Sequence, residues 1–468
     1  MFRKSPILFF IIPLAGIIAC TNPTGGESEN KITNAEAIEF LESIRAEAEA
    51  GESGKTYTLE RDVDLGAMDW VPIGTDNKPF KGVFDGNGYT IKGLKLPDDV
   101  KHSGLFGYVS GSGTGIKNLN IELDTPQLSP GSTFYVGAAA GYLTDGAIIN
   151  NVKVSGNLDI ISSPTLRVGG ITGTMADGTT ITGSAFTGNI SASGSNYTGG
   201  IAGMVLISAS KEDLTNTISG CYTTGTISGG NYTGGITGVI QNENYTKRSE
   251  NIISACYSTS AVSGGGHIGG IAGALVNFSS KDQCKSTITG CYSTGAISGS
   301  SAAIGGIAGS ANNSGSTDQC QLIISGCYST GTISGSGTVG GIIGEFSNTG
   351  SGCVIKLENS VFLGSRISSS ASSIGRIAGD FGGTPTLTNN YANKAALVNE
   401  STIEDSGNKG LTHKNGEDIS GALPVQSFYE SLTWSFSGSN AVWKMGNTGY
   451  PMHTWETGTT PAGWKNNN

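Results

Sequence analysis

Eight cysteines, four histidines and a recurrent Cys-Tyr pair are the side chains of this 468-residue chain with the strongest claim to chemistry. Cys221, Cys256, Cys291 and Cys327 each precede a tyrosine, while Cys284, Cys320 and Cys353 form a second set seven residues ahead of Cys291, Cys327 and Ser360. Metal binding is not expected, because there is no Cys-x-x-Cys pair and His102, His267, His413 and His453 are scattered. A full set of disulfides is not expected either. Without Cys20 the count is odd, and residues stacked in register about 4.8 Å apart lie beyond the roughly 3.8 Å Cβ separation of a bridge. The cysteines read as buried packing thiols. Hydrolysis of a glycoside needs two carboxylates about 5–10 Å apart, yet Asp282 is the only acid between Asn251 and Ala311. The acids gather instead at Asp62, Asp64, Asp69 and Asp85. No enzyme, cofactor or metal is expected. The tyrosines that follow the cysteines, Tyr222, Tyr257, Tyr292 and Tyr328, are left as the candidate ligand-binding residues.

The eighth cysteine belongs to a leader. In "MFRKSPILFFIIPLAGIIAC", Arg3 and Lys4 precede an apolar run that ends Ile17-Ile18-Ala19-Cys20. At about thirteen residues the run is too short to span a bilayer and has the length of a secretory core. It resembles a bacterial lipoprotein signal, which implies that Cys20 is lipidated, that 1–19 is removed and that 20–31 is a polar tether. The expected location is the outer membrane or cell surface, with the membrane as a partner through the lipid. With a net charge of −10 and no basic stripe, a nucleic-acid partner is not expected.

A period positions the repeated residues. The phrase Gly-apolar-x-Gly ends at Gly107, Gly141, Gly173, Gly203, Gly238, Gly273, Gly309, Gly344 and Gly379, so that it recurs every 30 to 36 residues. Glycine at this density excludes helices from the repeats, since each costs a helix about 1 kcal/mol relative to Ala. Short alternating bursts such as Leu119, Ile121 and Leu123 read as strands. Three are expected per unit, around "GGIAG", "ITGCYS" and "GAISG". Stacked in register, they predict an all-β fold, a right-handed parallel β-helix (β-solenoid) of about ten coils over 56–398. A propeller or sandwich explains the residue columns less directly. The column of Leu94, Leu119, Val152, Ser184, Cys221, Cys256, Cys291 and Cys327 begins with interior residue types, so the neighbouring tyrosines should face outward as one exposed stack, or else pack against one another for stability.

Both ends carry caps. Thr33 and Glu36 stand at capping-box spacing before Ile38, Leu41 and Ile44, with Gly51 as the stop, so a capping helix is expected within 32–55. The aromatic stretch holding Trp434, Trp443, Tyr450 and Trp455 predicts a C-terminal cap over 399–468 that closes the last coil.

"SGLFGYV", with Gly104-Leu105-Phe106-Gly107, resembles the GLUG-motif repeat family of bacterial cell-surface, adhesin-like proteins. Later copies read Gly-Ile-Ala-Gly, and the last, Arg376-Ile377-Ala378-Gly379, loses its first glycine. The resemblance implies a lipid-anchored surface solenoid acting in adhesion or in binding extracellular glycans or host and matrix proteins. The alternatives are a purely structural surface or fibre-associated protein, and a polysaccharide-degrading β-helix enzyme. Some members carry a His-Glu-x-x-His peptidase motif, which none of the four histidines matches.

Overall fold

The computed structural model describes residues 32–456 apart from 67, 125–126, 130–133, 162–165, 209, 245, 404–408, 420–424, 440 and 448. The leader, Cys20 and the tether lie outside the described residues.

The chain is a parallel β-solenoid. Sheet 1 has 27 strands, and sheets 2 and 3 have nine each, one per coil. A representative coil runs Glu250–Ser254, Tyr257–Ser258 and Ala261–Gly264 in sheet 1, His267–Gly269 in sheet 2, then Ala272–Phe278 in sheet 3. Each strand pairs in parallel with its equivalent one coil on, as Ile253 does with Ile288 and Tyr257 with Tyr292. The nine strands of sheets 2 and 3 agree with the expected rod of about ten coils. The repeated Gly-apolar-x-Gly phrase is a corner between sheets 2 and 3, and not the strand centre that was expected.

A second corner lies inside sheet 1. Asn118, Asn151, Gly183, Gly220, Ala255, Gly290, Gly326, Asn359 and Asn389 all have φ between +48° and +61°. Gly and Asn occupy this left-handed column because they tolerate it best, and Ala255 is the exception. The kink takes the next residue's N–H off the regular ladder. The side chain one coil on satisfies it: Val152 N donates to Ser184 Oγ at 3.1 Å, Cys256 N to Cys291 Sγ at 3.5 Å and Cys327 N to Ser360 Oγ at 3.3 Å. This is why a small residue with an acceptor fills the column. Leu94 does not belong to it, because a register shift pairs Leu94 with Leu123 while Leu119 pairs with Val152.

The interior is mainly apolar, with Ile218, Ile253, Ile288 and Ile324 repeating coil by coil. It also holds amide ladders that sequence reasoning did not single out. Asn242 donates to Asn277 at 2.8 Å and Asn277 to Asn313 at 2.9 Å, all three fully buried. Identical amides at the coil spacing satisfy one another where no water reaches.

All seven described cysteines are free and buried. Cys284, Cys320 and Cys353 form a small cluster of their own beneath the loops that follow sheet 3. Burial pushes the Cys221 and Cys291 thiols above their ordinary range. Native protein is therefore expected to react slowly with a thiol reagent, and denatured protein to titrate these thiols without prior reduction. Recovery of intact disulfides between the columns would contradict the stacking.

The N-terminal cap is a helix, α1 (Asn34–Ala50), closed by a Thr33–Glu36 capping box and stopped by Gly51 at φ +84°. Leu41 and Ile44 are fully buried against the first coil.

A candidate binding seam

The tyrosine column does form a stack. Ring centroids lie 5.1, 4.9 and 4.9 Å apart from Tyr222 through Tyr257 and Tyr292 to Tyr328, with planes within 8°. The rings stand outside the main core, as their parity requires, but the stack is not exposed. Tyr257, Tyr292 and Tyr328 are 8%, 3% and 1% accessible. The C-terminal segment covers them, which corrects both the expected open platform and the expected lid. Rather than only closing the last coil, residues 425–456 run back along the flank of the rod as a strap. Phe428 packs on Tyr391, Trp434 on Tyr328, Trp443 on Tyr292 and Tyr328, His453 on Tyr257 and Tyr292, and Trp455 on Tyr222 and Tyr257. The phenols are also engaged: Tyr292 donates to the Glu456 carboxylate at 2.9 Å and Tyr328 to the Pro451 carbonyl. Stacking at this spacing occupies the ring faces as well, so an interior ring has none to offer a sugar. Of the four candidate residues only Tyr222, half-buried at the end of the stack, keeps much accessible surface. The packing alternative is the one realised for the other three.

A second aromatic ladder lies where sheets 2 and 3 meet. At the final glycine of each repeated phrase the two sheets pass so close that no side chain fits. A Cβ on Gly203 would lie 2.6 Å from Val168 N, and one on Gly273 2.7 Å from Thr233 N, both backbone atoms of the preceding coil's sheet 2. The outer side chains of the two sheets are thereby pressed into one seam. On sheet 2 they run His102, Tyr135, Arg167, Tyr197, Tyr232 and His267, register partners across six coils. His102 stacks on Tyr135 at 5.1 Å, Tyr197 on Tyr232 at 5.4 Å and Tyr232 on His267 at 5.0 Å. The Arg167 guanidinium fills the gap, 5.1 Å from the Tyr135 ring centre and 5.8 Å from that of Tyr197. From sheet 3, Tyr142 meets Tyr135 edge-on at 5.3 Å, and Met204 and Val239 pack beneath Tyr197 and Tyr232.

Burial pushes His102 down to about 4 and also lowers His267, so both imidazoles are neutral at pH 7. Arg167 is then the only formal charge on the ladder. His102 is nearly covered, and the other five side chains are half-buried. The arrangement can hydrogen-bond and attract a ligand laid along it. Sequence reasoning missed it because residue type changes from coil to coil. The available signal was position, since Tyr135, Arg167, Tyr197, Tyr232 and His267 each stand six residues before the aligned glycine.

The acids of the entry coils are engaged in holding turns and neighbouring coils. Asp62 accepts from Thr90 N and Asp64 from Gly66 N, both at 2.8 Å, and Asp69 pairs with Lys95, which holds its carboxyl below the usual range. Burial alone would raise Asp85, but bonds from Asn87 N, Lys117 and Asn118 outweigh it. Among the described residues no group of three or more His, Cys, Asp or Glu is placed to hold a metal ion, and no helix is long and apolar enough to cross a membrane.

No protein-family model matches the chain. A protein of Evansella cellulosilytica described as "Putative Gly-rich membrane protein" is 33% identical over 108 residues, 22% of this chain. That match spans only 12% of the Evansella protein's length. Among solved structures, a crystal structure described as "a putative immunoglobulin A1 protease from Bacteroides ovatus" aligns over 88% of this chain and 90% of that one, at 19% identity and a TM-score of 0.37. At that level the likeness carries no argument about activity.

Proposed function

We propose that this chain is a lipid-anchored surface rod that binds extracellular ligands, glycans foremost, along the seam between sheets 2 and 3, and that it acts in adhesion or capture without catalysis. The observation that carries this reading is the ladder from His102 to His267, a row of aromatic and guanidinium edges at the coil spacing on a side of the rod that the strap does not cover. The resemblance to GLUG-motif surface proteins and the Ile-Ile-Ala-Cys leader support the location. A purely structural coat role is the second reading. It is favoured by the fate of the Tyr222–Tyr328 column, where an equally regular ladder is spent on internal packing.

The test is a glycan and matrix-protein array probed with the chain lacking residues 1–20. Binding is expected, and a Tyr135→Ala/Tyr197→Ala double variant that keeps its β-sheet spectrum is expected to lose it. Retained binding in that variant would remove the seam from consideration, and absence of any binding by the parent would favour the coat. For the anchor, Cys20→Ser is expected to block processing and leave the protein off the membrane fraction, because each buried methylene of the lipid contributes about 0.8 kcal/mol. Normal processing and membrane association of the variant would contradict it.

A further inference from the structure

Arg167 is set apart from the other described arginines. Arg45, Arg248, Arg366 and Arg376 each pair with a carboxylate, and Arg61 donates to the Ile32 carbonyl. Arg167 has the Tyr135 and Tyr197 rings on its two sides and, among the described residues, no carboxylate and no hydrogen-bond acceptor. The acids closest to the seam do not pair with Arg167. Asp76 pairs with Lys101 at 3.0 Å, Asp145 accepts from Ser110 Oγ at 2.8 Å and Asp177 from Ser208 N at 2.8 Å.

A guanidinium held between two rings is fixed in plane and weakly hydrated, and its N–H fork remains free to face the ligand. That fork matches a carboxylate in two parallel hydrogen bonds. Its surroundings choose the rest of the ligand. Half-buried phenols flank it, Tyr135 on one side and Tyr197 and Tyr232 on the other, in a ladder whose stacked rings repeat at roughly 5 Å, which suits a chain bearing hydroxyls at every unit. A peptide adding as a strand is disfavoured, because every sheet 2 strand here already pairs on both sides except at the ends of the sheet. Towards the far end, sheet 3 turns acidic at Glu345 and Asp380, where an anion would be repelled. We propose that Arg167 is the anion-recognition point of the seam and that the ligand is an extended acidic glycan, one of its uronate carboxylates held by the Arg167 fork. This inference rests on the glycan-binding reading above and narrows it.

The experiment compares polygalacturonate, a neutral β-glucan, dextran sulfate and polyglutamate as probes, by affinity electrophoresis and calorimetry on the chain lacking residues 1–20. Tight binding of polygalacturonate is expected. Arg167→Gln should weaken it at least about tenfold, since a charge-assisted pair is lost, and should weaken any binding of the neutral glucan by a much smaller factor. Arg167→Lys should recover little, because an ammonium keeps the charge but not the fork. An unchanged melting temperature in both variants shows that the loss is not one of folding. Equal binding of polygalacturonate by Arg167→Gln and the parent would overturn the assignment. So would dextran sulfate or polyglutamate binding better than polygalacturonate at equal charge. If the parent binds the neutral glucan but not polygalacturonate, this inference fails while the glycan-binding seam stands. If it binds no glycan at all, the seam reading itself fails.

Discussion

Replacing Trp443 by alanine is expected to release the strap from the flank of the rod while the coils beneath stay folded. Trp443 is 2% accessible and sits at the centre of the strap's contacts, 4.7 Å from both Trp434 and His453 and 5.9 Å from Tyr328. Truncating a buried tryptophan costs about 3–5 kcal/mol, here at the ring on which Trp434 and His453 both pack, and the strap has little regular secondary structure of its own. Its β structure is one short hairpin, Trp443–Met445 with Pro451–His453, and its helix, α2 (Gln426–Ser431), has no side-chain cap. The coils do not depend on it in the same way, because each is paired to the coils before and after it. The variant should therefore keep its β-sheet spectrum, bind a hydrophobic dye through the uncovered Tyr257, Tyr292 and Tyr328, and be cut by protease within 425–456. Trp443→Phe should retain most of the contact. Loss of the whole β-sheet signal in Trp443→Ala would mean that the strap holds the rod together.

That expectation marks the boundary of what could be read from the sequence. The period of the glycine phrase points to a solenoid because stacking in register lets such short strands satisfy their backbones, share a core and align the residue columns. The parity of Cys and Tyr gave the direction of the rings correctly. Neither feature says what lies over an outward ring. The strap is joined to the rod only through its end, and its path back from Tyr391 to Tyr222 is set by contacts between residues as distant as Tyr292 and Glu456. The seam was hidden for the opposite reason. Its position is strictly periodic, but His, Tyr and Arg alternate there, and a search for repeated residue types passes over a repeated place. The cysteine column lay between these cases. Its burial was legible, whereas its task of accepting an N–H left over at a left-handed kink needs the backbone geometry.

The loss of the first glycine in the last copy of the phrase, at Arg376, has a structural reason that leads to the other large effect. In earlier coils this position faces the next coil's backbone: a Cβ on Gly306 would lie 2.0 Å from the Gly341 carbonyl oxygen, and one on Gly341 1.9 Å from that of Arg376. At Arg376 the regular coils end, and the space holds a side chain that plugs the rod. Arg376 is fully buried. It donates to the Asn415, Asn393 and Gly416 carbonyls and pairs with Asp418 at 2.7 Å. Asp418 also holds Lys409 at 2.9 Å. Removing one partner of a fully buried pair costs about 3–5 kcal/mol, and the cost here falls at or below the low end of that range, because Asp418 keeps 19% of its side-chain surface and Arg376 keeps its carbonyl partners. Asp418→Ala is therefore expected to open the C-terminal end, where Ile377 and Ala378 N–H groups bond to the Lys414 carbonyl. Arg376→Met, which removes the charge and keeps much of the volume, should cost less. Acid should act in the same direction as Asp418→Ala. Burial alone would raise the Asp418 carboxyl, but Lys409 and Arg376 outweigh it and hold it below the usual carboxylate range. A depressed carboxyl stabilises the fold above its unfolded value, near 3.9, and loses that contribution as pH falls through the lower folded value. Hydrogen exchange at Ile377 and Ala378 should thus stay slow at pH 5 and rise in the parent below about pH 4. In Asp418→Ala it should already be fast at pH 5 and show no such step. Slow exchange at both sites in Asp418→Ala would mean that the plug holds without its counter-charge.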